Sequence, residues 1–267
     1  MSDRFLVLKI GGSLVSDKKG NRHIDHDLVA VYSAMVADLV ALAPGRVVLV
    51  VGGGAFGHGA VRGLDPDDPF AALDLTEATF QVKWAWATAL RAVGVRAMPL
   101  QLAAASTLDD GEGRVQGEVL CRLLRHGMLP VLSGDCLLNE HGVLEVFGSD
   151  RVPSLVLDAV SGRVRIVTLT DVPGVLLDGP DGDRVLPYID PDDPSEAFAA
   201  TWDNSAWDTS GAMAGKLREL IAFARRGAEC FITRGNPAEG SLRFLLDPAE
   251  RWPAGIRHTR IATKEAL

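Results

Sequence analysis

The sequence has few of the features that mark secreted, zinc-binding or membrane proteins. Its 267 residues include three cysteines, Cys121, Cys136 and Cys230, whose odd number and wide spacing fit neither a disulfide framework nor a Cys-x-x-Cys zinc site. No apolar run approaches the roughly 18 residues that span a bilayer, and the apolar run near the N-terminus is too short for a signal peptide. We therefore expect free thiols, no membrane contact and a cytoplasmic location.

Positive charge is also scarce. There are 27 Lys and Arg against 35 Asp and Glu, for a formal net charge of −8, and the absence of a basic cluster argues against a nucleic-acid partner. An anionic small molecule is not excluded, because a few lysines and glycine loops can override the net charge locally. The histidines other than His58 share no metal-ligand spacing, so we predict no metal site built from side chains.

Apolar runs and helical patterns alternate along the chain. The patterns predict strands at residues 5–10, 47–51, 95–102, 128–134, 164–170 and 228–233. They predict helices at 26–43, 75–94, 115–126, 152–160 and 208–226, and a hairpin at 174–189. Because the strands are nearly continuous in Val, Leu and Ile, we predict an α/β fold, a three-layer α/β/α sandwich with a central, mainly parallel sheet.

Glycines follow three of these strands and precede the last long helix. The segments are LKIGGS (8–13), VVGGG (50–54), TDVPG (170–174) and DTSGAMAGK (208–216). Ligands of parallel sheets bind beyond the carboxyl ends of the strands, and glycine lets an anion approach the backbone N–H groups closely. One such loop is usually a simple turn, but two loops together with Lys9 and Lys216 indicate a polyphosphate site.

Two further patterns resemble nucleotide motifs without satisfying them. GGGAFG (52–57) matches G-x-G-x-x-G, but no acidic residue stands at a clear second strand end about 20 residues on. GAMAGKL (211–217) resembles a phosphate-binding loop, but it is one residue short, and Leu217 stands where Ser or Thr would bind Mg²⁺. We therefore predict neither a dinucleotide-binding fold nor a phosphate-binding loop of that type.

The glycine segments carry a resemblance to a known family. LVLKIGGSLVSDKKG, VVGGGAFGHGA, TLTDVPGV and DTSGAMAGK resemble motifs of the amino acid kinase superfamily, and Phe-Gly-His after the glycine triplet resembles its isopentenyl phosphate kinase branch. A resemblance to the fosfomycin kinases extends over nearly the whole chain. It is carried by the segments LTEATFQVKWAWA, PLQLAAA, SDRVP, RRGAECFITRG and RWPAGIRHTRI. This resemblance implies one domain over 1–267, with an acceptor lobe at about 1–160 and an ATP lobe at about 161–267. It also implies ATP and Mg²⁺ as cofactors and a homodimer.

The same resemblance implies roles for individual residues. The implied catalytic residues are Lys9, Lys216, His58, Asp150 and Lys18. The implied nucleotide contacts are Gly11, Gly12, Ser13, Thr170, Asp171, Gly174, Val175, Gly211, Met213 and Lys216. The implied acceptor contacts are Gly53, Gly54, His58, Ser149, Asp150, Val152 and Ser210, with Gln101 or Ala105 as possible further wall residues.

His58 implies an acceptor that already carries a phosphate or a phosphonate, because relatives with a carboxylate acceptor use no such residue. We therefore expect ATP-dependent phosphorylation of a small phosphonate antibiotic, with fosfomycin as the first choice. Two alternatives stay open: an isopentenyl phosphate kinase, which needs an apolar tunnel for the prenyl tail, and a non-catalytic nucleotide-binding or storage protein. Ser210 replaces a threonine of the fosfomycin kinases, which leaves the acceptor itself open.

Overall fold

The computed structural model describes residues 4–16, 24–179, 182–201 and 212–264. The strands are β1 (Arg4–Ile10), β2 (Val47–Val51), β3 (Ala97–Pro99), β4 (Ser106–Asp109), β5 (Glu112–Val115), β6 (Leu129–Ser133), β7 (Asp135–Asn139), β8 (Leu144–Phe147), β9 (Arg163–Thr170), β10 (Tyr188–Ile189), β11 (Glu229–Arg234) and β12 (His258–Ile261). The α-helices are α1 (His26–Leu42), α2 (Gly54–Ala60), α3 (Leu73–Ala92), α4 (Gly117–Arg125), α5 (Pro153–Ala159), α6 (Ser195–Ala199) and α7 (Ala212–Arg225). In the part of the chain that is described, no helix is long and apolar enough to cross a membrane.

The central sheet has eight strands in the order β10-β12-β11-β9-β1-β2-β6-β3. All of its pairings are parallel except that of β11 with β12, which is antiparallel. Successive residues of the central strands point to opposite faces, so Val7 joins one apolar cluster while Leu6 and Leu8 join the other. Helices α1 and α3 cover one face and α4, α5 and α7 cover the other, which confirms the predicted three-layer α/β/α sandwich.

Most predicted elements are present with shifted ends. The strand expected at 95–102 stops at Pro99, and a 3₁₀ turn at Leu102–Ala104 follows it, because this segment turns towards Asp135 instead of extending the sheet. The hairpin expected at 174–189 is reduced to a short bridge in which Leu176 faces Val185. The free thiols are confirmed for all three cysteines.

A second, smaller sheet is present that the sequence patterns do not predict. Its four strands have the order β5-β4-β7-β8 and hold four or five residues each, too few for their alternation to stand out from the surrounding charged and glycine-rich sequence. The sheet begins where the central strand β6 ends, since Gly134 alone separates β6 from β7. It therefore stands beside the carboxyl ends of the central strands.

A buried ionic cluster links β9, β11 and β12 at the opposite end of the sheet. The Glu229 carboxylate accepts hydrogen bonds from the Arg165 guanidinium at 2.7 and 2.8 Å, and it pairs with Arg260 at 2.7 Å and Arg4 at 3.1 Å. Arg165 is 1% exposed. Because one carboxylate serves three guanidinium groups, its removal would leave buried positive charge uncompensated.

We expect Glu229→Gln to lower the free energy of unfolding by about 3 to 5 kcal/mol, as breaking a buried ion pair does. Urea unfolding measures this. The control is Asp38→Asn, which breaks an exposed pair between Asp38 and Arg243 at 3.1 Å and should cost less than about 1 kcal/mol. Equal effects of the two substitutions would contradict a structural role of the buried cluster.

Candidate active site

Four neighbouring strands end at the same edge of the central sheet, and a glycine-bearing turn follows each of them. The N–H of Gly52 donates to the carbonyl of Ile10 at 2.8 Å, and the N–H of Gly11 donates to the carbonyl of Leu169 at 2.9 Å. The N–H of Gly235 donates to the carbonyl of Thr170 at 2.8 Å. These bonds align the ends of β2, β1, β9 and β11, so the turns that follow them lie next to one another.

The first two glycine turns are in direct backbone contact. A Cβ atom on Gly12 would overlap the backbone nitrogen of Gly54, and Gly54 has a φ of +53°, so both positions need glycine. The Ser16 hydroxyl joins the turns, because it donates to the Gly12 carbonyl at 2.8 Å and accepts from the Ala55 N–H at 3.2 Å. The spacing between the two turns is therefore set by the backbone.

Asp150 lies between the two predicted lysines. Its carboxylate forms a short salt bridge with the Lys9 ammonium, and the Lys216 ammonium lies 3.5 Å from the same Oδ1 atom. Lys9 comes from β1, Lys216 from α7 and Asp150 from the turn that precedes α5. Three distant segments thus bring two ammonium groups together beside the glycine turns.

The charge state of these groups follows from burial and from their mutual attraction. Burial lowers the pKa of Lys9 to about 8 against the opposing effect of Asp150, so most Lys9 side chains carry a proton at pH 7. Burial alone would favour a neutral carboxyl, but the ammonium groups of Lys9 and Lys216 hold the pKa of Asp150 well below its usual value. The cluster therefore carries a net positive charge at neutral pH, as an anion site requires.

The turn after β9 is shaped by hydrogen bonds at the positions predicted to contact nucleotide. The Thr170 hydroxyl donates to Asp171 Oδ1 at 3.0 Å, and the Val175 N–H donates to the Thr259 hydroxyl at 2.8 Å. That hydroxyl in turn donates to the Leu186 carbonyl at 2.7 Å. Strand β12, which the sequence analysis missed, thus supplies the residue that fixes this turn.

Of the predicted acceptor residues, Gly53, Gly54 and His58 follow β2, which lies on the side of β1 away from β9. His58 is half-buried on α2, one helical turn after Gly54. Ser149 packs against Gly134, where a Cβ atom would come within 2.8 Å of the Ser149 nitrogen. Val152 is fully buried in the apolar core, so it anchors the turn that carries Asp150.

Two polar residues of this edge were not predicted from the sequence, and three predicted residues lie outside the described part of the chain. Ser16, which joins the glycine turns, stands four residues after Gly12. Glu219 interacts electrostatically with Lys9 and Asp150, and burial raises its pKa; its place three residues after Lys216 on a helix was the available signal. Outside the described residues lie Lys18, Ser210 and Gly211.

Within the described ranges, no group of three or more His, Cys, Asp or Glu side chains could hold a metal ion. Mg²⁺ readily keeps several waters and binds through substrate phosphates with few protein ligands. A dication that came with bound phosphate would need few ligands from this edge, and Lys9 and Lys216 would neutralise further phosphate charge.

Comparisons with known proteins agree with this geometry. Residues 4–234 match the family model "Amino acid kinase family". The chain is 32% identical over 251 residues to isopentenyl phosphate kinase from Haloferax volcanii, covering 87% of this chain and 96% of the relative. It is 27% identical to the same enzyme from Methanothermobacter thermautotrophicus, covering 97% and 99%.

Solved structures show the same fold at low sequence identity. The isopentenyl phosphate kinase product complex from T. acidophilum has a TM-score of 0.70 at 19% identity and covers 96% of this chain and 99% of its own. Carbamate kinase from Giardia lamblia bound to AMP-PNP has a TM-score of 0.64 at 20% identity, covering 98% and 99%. These comparisons support the resemblance to the isopentenyl phosphate kinase branch, and they do not show the finer resemblance to the fosfomycin kinases. The chain is a phosphotransferase and belongs to the amino acid kinase family.

Proposed function

We propose that the chain transfers the γ-phosphoryl group of ATP to a small organic acceptor that already carries a phosphate or a phosphonate. The observation that carries this proposal is the pair of ammonium groups, Lys9 and Lys216, held by one carboxylate at the edge where the glycine turns meet. Phosphoryl transfer needs mainly alignment of the reactants and neutralisation of oxygen charge. A non-catalytic storage protein has no need of such a paired arrangement.

In the proposed reaction an acceptor oxygen attacks the γ-phosphorus of ATP in line. A new P–O bond forms, the bond from the γ-phosphorus to the β–γ bridging oxygen breaks, and ADP leaves with the electron pair. Lys9, between the two sides, would neutralise the transferring group, and Lys216 would neutralise the departing phosphate. A phosphate or phosphonate oxyanion is already nucleophilic, so no side chain has to remove a proton.

The two halves of the chain would divide the reactants. We place ATP on about residues 161–267, with contacts from Thr170, Asp171, Gly174, Val175 and Met213, together with the turn at Gly11, Gly12 and Ser13. Bound Mg²⁺ would add positive charge between the phosphates. We place the acceptor on about residues 1–160, where Gly53, Gly54, His58 and Ser149 would hold its phosphorus group.

Isopentenyl phosphate is the acceptor that the comparisons favour. Two curated relatives that cover 87% and 97% of this chain carry isopentenyl phosphate kinase as their name. The acetylglutamate kinases among the relatives cover about half of the chain. We therefore place isopentenyl phosphate first.

Fosfomycin is the second candidate, because the sequence resembles the fosfomycin kinases over nearly the whole chain. Near the second glycine turn, Thr79 and Asp135 are 1% and 0% exposed, so they cannot contact an acceptor. The partly exposed Thr76 and Gln101 share a cavity with the apolar side chains of Leu73 and Phe80. This cavity offers both polar and apolar contacts, so the acceptor comparison below decides between the two candidates.

An acceptor comparison tests the proposal directly. Purified protein with ATP and Mg²⁺ is offered isopentenyl phosphate, fosfomycin and N-acetylglutamate, and the products are followed by ³¹P NMR. We expect a new phosphorus anhydride with a phosphorylated or phosphonylated acceptor, a higher kcat/KM with isopentenyl phosphate, and no transfer to the carboxylate. The opposite order of the first two would favour fosfomycin. Transfer to N-acetylglutamate alone, or ATP binding without any transfer, would reject the proposal.

Lys9→Met should lower kcat by about 10²-fold or more, as removal of a group that stabilises transition-state charge does. Steady-state kinetics measure this, and Lys264→Met, which removes an exposed lysine, is the control. Turnover near the original value in Lys9→Met would remove Lys9 from the mechanism.

In the unsubstituted protein kcat/KM should fall as the pH rises through about 8, because Lys9 loses its proton there.

His58→Ala should raise the KM for the acceptor about tenfold or more while the KM for ATP changes little, because the imidazole would donate a charge-assisted hydrogen bond to the acceptor's phosphorus group. Initial rates with each substrate varied in turn provide both constants. An equal rise in both constants would place His58 away from the acceptor.

A further inference from the structure

Asp135 is a fully buried carboxylate that organises the junction between the central sheet and the smaller one. Its Oδ1 accepts hydrogen bonds from the Thr76 hydroxyl at 2.8 Å and the Cys136 N–H at 3.0 Å. Its Oδ2 accepts from Gln101 Nε2 at 2.6 Å and the Ala103 N–H at 3.0 Å. Four donors from three segments thus hold the carboxylate, and none of them carries a positive charge.

Lys83 is a buried cation that interacts electrostatically with this carboxylate. It lies on α3, two helical turns after Thr76, and its side chain is 0% exposed. Its Nζ has no hydrogen-bond partner among the described residues, yet Asp135 acts on it electrostatically and raises its pKa, against burial, which lowers it to about 8. A buried lysine without a hydrogen-bonding partner destabilises a fold. Its presence therefore calls for a reason other than packing.

The position of this charge pair supplies that reason. On one side, Thr79 lies one turn before Lys83 and packs against Gly53 of the second glycine turn. On the other side, Asp135 directly follows Gly134, whose backbone touches Ser149. Lys83 and Asp135 are thus each one short step along the chain from a residue that contacts a segment that we assign to the acceptor.

We propose that Lys83 is a positioning residue for the anionic acceptor, because its ammonium neutralises the buried Asp135 carboxylate behind the two segments that bind that acceptor. This inference rests on the proposed function, since it requires an acceptor with a phosphate or phosphonate charge. Asp135 is needed to tie α3 and the 3₁₀ turn to β7. Left uncompensated, its negative charge would repel an anion bound at Gly53 and Ser149. The repulsion would be strong, because charges in a protein interior are weakly screened.

Lys83→Met tests the proposal, since methionine has a similar length and no charge. We expect the KM for the acceptor to rise about tenfold, while the KM for ATP stays within about twofold. The melting temperature should fall little, because Asp135 keeps its four hydrogen bonds and the removal of a buried ammonium without a hydrogen-bond partner offsets the lost attraction. Lys264→Met, which removes an exposed lysine charge, should leave both constants unchanged.

The double variant Lys83→Met with Asp135→Asn separates charge from shape. Without the carboxylate there is no repulsion to offset, so the KM for the acceptor should return towards the original value. If the new amide nitrogen faces Thr76, that hydroxyl can turn to accept its hydrogen bond, but the Cys136 N–H then loses its acceptor. The melting temperature of the double variant is therefore measured together with its kinetic constants. Recovery in the double variant supports neutralisation of Asp135 as the role of Lys83, and an acceptor KM as high as in the single variant overturns it.

Other outcomes are equally decisive. A folded Lys83→Met protein with unchanged constants for both substrates overturns the role of Lys83. If neither Lys83→Met nor Lys83→Gln folds, Lys83 is a structural residue and the proposal is rejected. Failure of the unsubstituted protein to phosphorylate any phosphorylated or phosphonylated acceptor would refute the proposed function instead, so the two failures are distinguishable.

Discussion

The geometry of the site depends on one ionic contact, in which the Asp150 carboxylate holds the ammonium groups of Lys9 and Lys216. Two like charges would separate if nothing stood between them, and a carboxylate between them keeps both in place while leaving their remaining hydrogens free. Lys9 is rigid because β1 lies at the centre of the sheet, whereas Lys216 depends on α7 for its position. The contact thus joins the two halves of the chain where their strands end.

The second constraint is the closeness of the backbone. Since Gly12 and Gly54 touch and Ser16 ties their turns together, the site presents peptide groups to a ligand with little side-chain bulk. A surface of this kind suits phosphate oxygens, which accept several hydrogen bonds and take little room. The turns and the two lysines therefore fit the role that we propose for this edge of the sheet, which is to bind phosphate groups.

Much of this arrangement could be predicted from the sequence, because it depends on local patterns. Buried parallel strands read as continuous apolar runs, and glycines after a strand mark turns, so β1, β2, β9 and β11 and the three glycine turns that follow β1, β2 and β9 were within reach. The small sheet was not, since its short strands have no distinct periodicity. The contact partners Ser16 and Thr259 and the pairing of Lys83 with Asp135 were also hidden, because they depend on three-dimensional proximity of distant segments. The acceptor was open for the same reason, since the surroundings that we propose for it involve α3, the 3₁₀ turn and β7 together.

The contact between Gly12 and Gly54 has a consequence for how this family can diversify. In the proposed reaction, the gap across which phosphorus would move is set largely by main-chain atoms, so it would change little when neighbouring side chains other than Ser16 are exchanged. The outer walls, built from α3 and the four-stranded sheet, can then change freely with the shape of the molecule to be modified. New specificities can therefore arise by remodelling the periphery, without any readjustment of the reacting centre.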